Sequence, residues 1–144
     1  MYSAGLLFVL FNIFELVSTR TSCDPATGTF PDQDTVLNKL AEMIEEEVGG
    51  GLKYSCALEP SAYLKFVKLT KEQWNKVYGH VKYAKEVEYS TEKDVSEDLE
   101  GFAENAFTQW HDDLKAVKAK YFGCVVNKPT SSKKTTVSCL FRDF

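Results

Sequence analysis

The chain has 144 residues, a formal net charge of -4 at neutral pH, and a hydrophobic fraction of 44%. This length suits one domain with a single core, and the absence of a basic excess argues against a nucleic-acid interface or a polybasic membrane patch. Only two histidines occur in the sequence, which leaves few candidates for general-base or metal chemistry.

Residues 1–22 have the pattern of a secretory signal peptide. An almost unbroken apolar run, residues 4–14, is followed by a polar exit with small residues at Ser18 and Thr19. The run is too short to span a bilayer as a helix, and no stop-transfer flank follows it. We therefore expect a secreted, extracellular mature chain, residues 23–144, forming one domain without stable membrane insertion. A buried N-terminal helix is the alternative interpretation.

All four cysteines lie beyond this leader: Cys23, Cys56, Cys124 and Cys139. An even number of cysteines in a secretory context predicts two disulfides. Their spacing leaves all three possible pairings open. A zinc site is not expected, because no two cysteines have the short spacing that zinc-binding pairs use.

Three helices are predicted in the first half of the mature chain. Apolar residues at helical spacing predict the first helix over residues 36–48, and three consecutive glycines at 49–51 end it. Pro60 suits the first turn of a second helix, which we expect to end near Thr70. Residues 71–88 predict a third helix with its lysines directed outward.

Two segments between the helices carry no helical pattern. Residues 52–56 are interpreted as a short connector, and the polar, acidic residues 89–97 as a loop. A fourth helix follows, with apolar residues from Leu99 to Val117 at steps of three and four and with Ser96 available as its cap.

The end of the chain predicts an antiparallel hairpin with one cysteine in each strand. Residues 121–126 and 135–141 are rich in β-branched and aromatic side chains, and the segment between them consists of turn formers and charges. Helices followed by a hairpin indicate an α+β domain in which about four helices pack on a small antiparallel sheet.

Five short motifs occur in order along the mature chain. They are Cys23-Asp24-Pro25, Tyr54-Ser55-Cys56-Ala57-Leu58-Glu59, the segment from Ala103 to Trp110 with the acidic pair Asp112-Asp113, Gly123-Cys124, and Val137-Ser138-Cys139-Leu140-Phe141. Together they resemble the CAP superfamily of cysteine-rich secretory, antigen 5 and plant pathogenesis-related proteins. Within it, the chain is most similar to the activation-associated secreted proteins of parasitic nematodes and the small proteins related to them.

The resemblance implies a reduced α-β-α sandwich with a disulfide-clamped C-terminal hairpin. It implies a Cys124–Cys139 bridge, which leaves Cys23 and Cys56 for the second bridge. The chain lacks the long insert that family members carry between the tryptophan-containing helix and the Gly-Cys strand. It is therefore similar to a trimmed, degenerate member.

Metal binding in this family uses two histidines and two glutamates in a central cleft, and this chain departs from that pattern. The first helix contains no histidine, and the nearest equivalent of the second histidine motif is Ala106-Phe107-Thr108-Gln109, with alanine in place of the ligand. The resemblance therefore implies no metal site here, and we expect no cofactor.

Other chemistry-bearing residues have simpler interpretations. His111 beside Asp112 and Asp113 could form an acid-base or metal site, but the solvated face of a helix is the favoured interpretation. The consecutive glutamates 45–47 could bind calcium, but for them too the solvated face of a helix is the favoured interpretation. No serine lies in a nucleophile motif such as Gly-x-Ser-x-Gly. We therefore predict no catalytic residues and no enzyme activity.

Aromatic side chains offer candidate partner contacts, because tyrosine and tryptophan anchor protein interfaces. The candidates are Tyr83, Tyr89 and Phe107. We expect a secreted, non-catalytic effector that binds an extracellular protein; the resemblance implies that this protein belongs to a host and that the role is immunomodulatory. A lipid or sterol carrier is the alternative, and it would need an apolar pocket of several hundred cubic ångströms. An enzyme of unknown reaction is the third hypothesis.

Overall fold

A computed structural model describes Cys23 and residues 30–143, in which helices are combined with one sheet. The helices are α1 (Gln33–Val48), α2 (Leu58–Tyr63), α3 (Lys71–Tyr78) and α4 (Leu99–Lys115). The strands are β1 (Lys53–Tyr54), β2 (Lys85–Thr91), β3 (Tyr121–Asn127) and β4 (Thr135–Arg142). A π-helical turn, Leu64–Lys68, continues from α2. The predicted signal peptide lies outside the described residues.

Helix α1 ends where the glycines predicted an end. Gly49, Gly50 and Gly51 all have positive φ angles, a conformation that glycine adopts without steric cost. Helix α4 has a different cap from the one predicted. Asp98 accepts a hydrogen bond from the Gly101 N–H at 2.9 Å, whereas Ser96 is bonded to Asp94. The prediction of Ser96 as the cap was wrong because the helix begins two residues later.

The four strands form one sheet in the order β1-β3-β4-β2. The predicted hairpin of β3 and β4 is confirmed, but the sheet is mixed, because β1 runs parallel to β3. Residues 52–56 therefore contain a strand and not only a connector. Strand β1 has two residues, which is too short to produce a periodic pattern in the sequence.

The prediction of a third helix over residues 71–88 followed by a loop over 89–97 was wrong in part, because strand β2 occupies residues 85–91. The helix ends at Tyr78, and residues 85–91 pair with β4 from Lys85↔Phe141 to Thr91↔Thr135. The alternation of Val87 with exposed glutamates is a period-two pattern that also fits a strand. Pairing with β4 favours the extended form. Only residues 92–97 form the predicted loop.

Helices cover both faces of the sheet, which confirms the α-β-α sandwich. The face toward α1 and α4 carries the main core, contributed by alternate strand residues: Val87, Phe122, Cys124, Val126, Val137, Cys139 and Phe141. The opposite face carries Val125 and Leu140, which pack with Ala62 of α2 and with Phe66 and Val67 of the π turn. Among the described residues, no helix is long and apolar enough to cross a membrane.

Two disulfides hold this arrangement. Cys124 and Cys139 are directly opposite each other on β3 and β4 and form the bridge that clamps the hairpin, as predicted. With a sequence separation of 15, that bridge contributes roughly 3 kcal/mol by restricting the unfolded chain. Cys23 is joined to Cys56, which attaches Cys23 to the segment before α2.

Candidate interaction surface

The second face of the sheet is covered by α2 and the π turn, and α3 packs against the π turn. Successive side chains of β2 point to opposite faces, so Glu86 and Glu88 lie on this side while Val87 is buried against α4. The turn is closed by a hydrogen bond from the Leu69 N–H to the Leu64 carbonyl at 2.9 Å. Turns of this kind are rare and occur frequently at functional sites.

Lys65 of the π turn is the centre of a cluster of charged and aromatic side chains. Its Nζ lies 3.1 Å from the Glu86 carboxylate, 4.9 Å from the centre of the Trp74 ring and 5.4 Å from that of Tyr83. The Arg142 guanidinium lies 5.7 Å from the Tyr83 ring. We call these five residues, Lys65, Trp74, Tyr83, Glu86 and Arg142, the Lys65 cluster.

Local sequence positions the aromatic members of the cluster. Helix α3 begins with a capping box, in which Thr70 accepts from the Gln73 N–H and Gln73 accepts from the Thr70 N–H. This fixes the first turn of α3 and directs Trp74 inward, where the residue is 5% exposed and its ring stacks on that of Tyr78 with centres 4.7 Å apart. A cation–π contact contributes about 0.5–1 kcal/mol where it is exposed and about 2 kcal/mol where it is desolvated, as on the buried Trp74 ring.

An opening of ≈330 Å³ lies beside the Lys65 cluster. Its lining combines apolar and charged side chains: Lys65, Phe66, Leu69, Lys71, Trp74, Asn75 and Glu86. A second opening of ≈180 Å³ lies on the other side of Phe66, over the exposed part of the sheet near Glu88 and Ser138. The two openings share Phe66 as a common wall, so the π turn separates two recesses on the same face.

The three predicted contact residues do not lie together. Tyr83 belongs to the Lys65 cluster on the second face of the sheet. Tyr89 and Phe107 pack on the main core at the first face, where the Tyr89 ring lies 5.7 Å from Phe102 and the Phe107 ring 6.3 Å from His111. All three are half-buried.

The sequence interpretation missed Lys65, Glu86 and Arg142. The sequence predicts a helix over residues 71–88, and a helix there gives no reason to expect the ion pair between Glu86 of β2 and Lys65 of the π turn. The sequence signal for this strand is the alternation of polar and apolar residues around Val87.

The acidic residues around His111 do not form one site. The His111 Nε2 lies 2.9 Å from Glu47 of α1, whereas Asp113 pairs with Lys85 at 3.2 Å. His80 lies exposed just after α3. In the part of the chain that the structure describes, no group of three or more metal-ligating side chains converges.

The Tyr83 hydroxyl is expected to lose its proton at a higher pH than an ordinary tyrosine. Burial raises its pKa above the usual 10.0, and the Arg142 charge and the hydrogen bond with Ser61 only partly oppose this. The resulting stability contribution is complete below pH 10 and is lost as pH rises through the folded-state pKa. The replacement Tyr83→Phe should therefore remove one component that titrates above pH 10 from the ultraviolet tyrosinate titration. The chain in denaturant is the control, since it should show no such component in either protein.

Comparison with protein families agrees with the motifs and with the fold. The model of the family described as Ancylostoma-associated secreted protein related matches residues 23–141. This confirms the predicted relation to CAP-related nematode secreted proteins. No curated protein and no solved structure matches the chain. The matched region contains both disulfides and every helix and strand except the last residue of β4, and the chain therefore belongs to the Ancylostoma-associated secreted protein related family.

Proposed function

We propose that the mature protein acts outside the cell as a non-catalytic effector that binds an extracellular host protein and modulates the immune response. The Lys65 cluster is the observation that carries this proposal. Tyrosine, tryptophan and arginine are the residues most enriched among energetically dominant interface contacts. The cluster contains all three types around an ion pair: Tyr83 and Arg142 are half-buried, and Trp74 lies buried beneath Lys65.

The contacts within the cluster give its surface a defined shape before a partner arrives. Lys65 is held by Glu86 and two rings, and its side chain is 19% exposed. Side chains that are already ordered lose less conformational freedom on binding, so more of the contact energy contributes to affinity. Family membership and two disulfides support an extracellular site of action.

A lipid or sterol carrier is the second candidate, because one recess has a mostly apolar character. It is lined in part by Phe30, Pro31, Val95 and Leu99 and measures ≈220 Å³. A carrier buries most of its ligand in a concave apolar site. This recess is open to solvent and includes Asp32, Asp94 and Lys128, which favours the protein-binding function.

Affinity capture tests the proposal. The oxidised chain of residues 23–144 is immobilised, exposed to host extracellular fluid, and its retained proteins are identified by mass spectrometry. We expect a specific host protein that the reduced and alkylated chain does not retain. Retention of no protein by the oxidised chain, together with lipid in its organic extract, would contradict the proposal and favour the carrier.

A further inference from the structure

The two helical layers of the sandwich carry opposite charges. Helices α1 and α4 together contain nine acidic residues and two lysines. On the opposite side, residues 60–84 contain five lysines and one acidic residue, Glu72, and strand β2 adds Glu86 and Glu88. A chain with a net charge of -4 therefore presents a basic surface around the π turn and α3. Such a surface steers acidic partners toward it.

The opening beside the Lys65 cluster lies within this basic surface. Its apolar walls are Phe66, Leu69 and Trp74, and exposed Lys71 stands at its rim. Lys65 is neutralised by Glu86, whereas Lys71 forms no ion pair with any other residue that the structure describes. An apolar cavity of about 150 Å³ holds a benzene molecule. The ≈330 Å³ opening therefore has room for one aromatic side chain.

We infer that this surface docks an acidic segment of a protein partner, with one aromatic side chain in the opening and flanking carboxylates against Lys71 and against Lys68, which is exposed at the end of the π turn. The inference deepens the proposed function and depends on it. A sulfated polysaccharide would satisfy the lysines, but it has no apolar group to cover Phe66, Leu69 and Trp74. The mixed lining therefore favours a peptide chain over a polysaccharide.

Synthetic peptides test the inference directly. The probe is a fluorescein-labelled peptide with a central phenylalanine flanked by glutamates, and its binding to the oxidised chain of residues 23–144 is measured by fluorescence anisotropy. One matched peptide has alanine for phenylalanine, and another has lysines for glutamates. We expect saturable binding of the probe and weaker binding of both matched peptides.

Two variants connect the binding to this surface. Lys71→Glu and Asn75→Glu both place a carboxylate at the rim, and each should weaken binding roughly tenfold through like-charge repulsion. The matched control is Lys115→Glu on α4, in the opposite layer, which should leave the affinity unchanged. Circular dichroism verifies that each variant is folded. Unchanged affinity in both rim variants would overturn the inference.

Competition with heparin oligosaccharides separates the polysaccharide from the peptide. If heparin binds more tightly than the probe and the alanine peptide binds as well as the probe, the surface recognises charge alone, and the inference is overturned. Host-fluid capture repeated with Lys71→Glu distinguishes this failure from failure of the proposed function. A host protein retained equally by this variant leaves the proposed function intact and excludes this surface, whereas retention by neither chain contradicts the proposed function.

Discussion

Replacement of Tyr54 by phenylalanine is expected to lower the free energy of unfolding by about 3 kcal/mol, because it removes a hydrogen-bond donor from a buried carboxylate. The Tyr54 hydroxyl donates to the Glu59 carboxylate, and Glu59 is only 2% exposed. The same hydroxyl accepts from the Cys124 N–H at 3.2 Å. One phenol therefore connects β1, α2 and β3.

Phenylalanine preserves the other contact of this side chain. The Tyr54 ring packs edge-on against Phe122, with ring centres 5.1 Å apart, and that packing does not involve the hydroxyl. The loss of stability should therefore come from the hydrogen bonds of the Tyr54 hydroxyl to Glu59 and Cys124. Urea unfolding followed by circular dichroism measures it. The matched control is Tyr121→Phe at a residue 39% exposed, where a change within about 0.5 kcal/mol is expected.

A double variant tests whether the buried charge causes the loss. Adding Glu59→Leu to Tyr54→Phe removes the carboxylate that has lost its donor, so part of the stability should return. A Tyr54→Phe protein within about 1 kcal/mol of the wild type would show that the typical cost of removing one hydrogen bond from a buried group does not apply here.

Replacement of Gly123 by alanine is the second change with a large expected effect. A Cβ at this position would lie 2.5 Å from the Cβ of Leu58, 2.9 Å from its carbonyl carbon and 3.1 Å from the Ser55 carbonyl oxygen. These atoms belong to the backbone or are attached directly to it, so no side-chain rotation relieves the clash. Helix α2 would have to move away from β3, at a cost of about 3 kcal/mol.

The control for this substitution is Gly50→Ala in the turn after α1. No atom lies within 4 Å of a Cβ there, but the φ of +63° is unfavourable for alanine, so a cost of about 1–2 kcal/mol is expected. Denaturant unfolding compares both variants with the wild type. Equal losses in the two variants would mean that close packing of α2 on β3 is not the reason for glycine at position 123.

Local periodicity was sufficient for α1, α4 and the hairpin. Helices α1 and α4 each have 16 or more residues with one apolar face, and the two hairpin strands flank an evident turn. Short elements were not predictable in the same way. Strand β1 has two residues, and its conformation depends on pairing with β3. Pro60 predicted the second helix, but not its start at Leu58 or its continuation as a π turn.

The candidate site was predictable only in part. Tyr83 was selected by residue type alone, since tyrosine anchors interfaces, but nothing in the spacing connected it with Lys65 or Arg142. Lys65 and Glu86 lie in elements separated by α3. Their contact exists because β2 pairs with β4 and thereby faces the π turn.

The sequence by itself determined the fold class, the family, and the presence of a hairpin with a cysteine in each strand. Those properties depend on local patterns and on the order of short motifs. Only the tertiary structure decided the register of β2, the mixed sheet, the Tyr54–Glu59 pair and the Lys65 cluster. The physical reason is that each of these depends on contacts between residues that are distant in the sequence. Such contacts produce no periodic pattern of residue types along the chain.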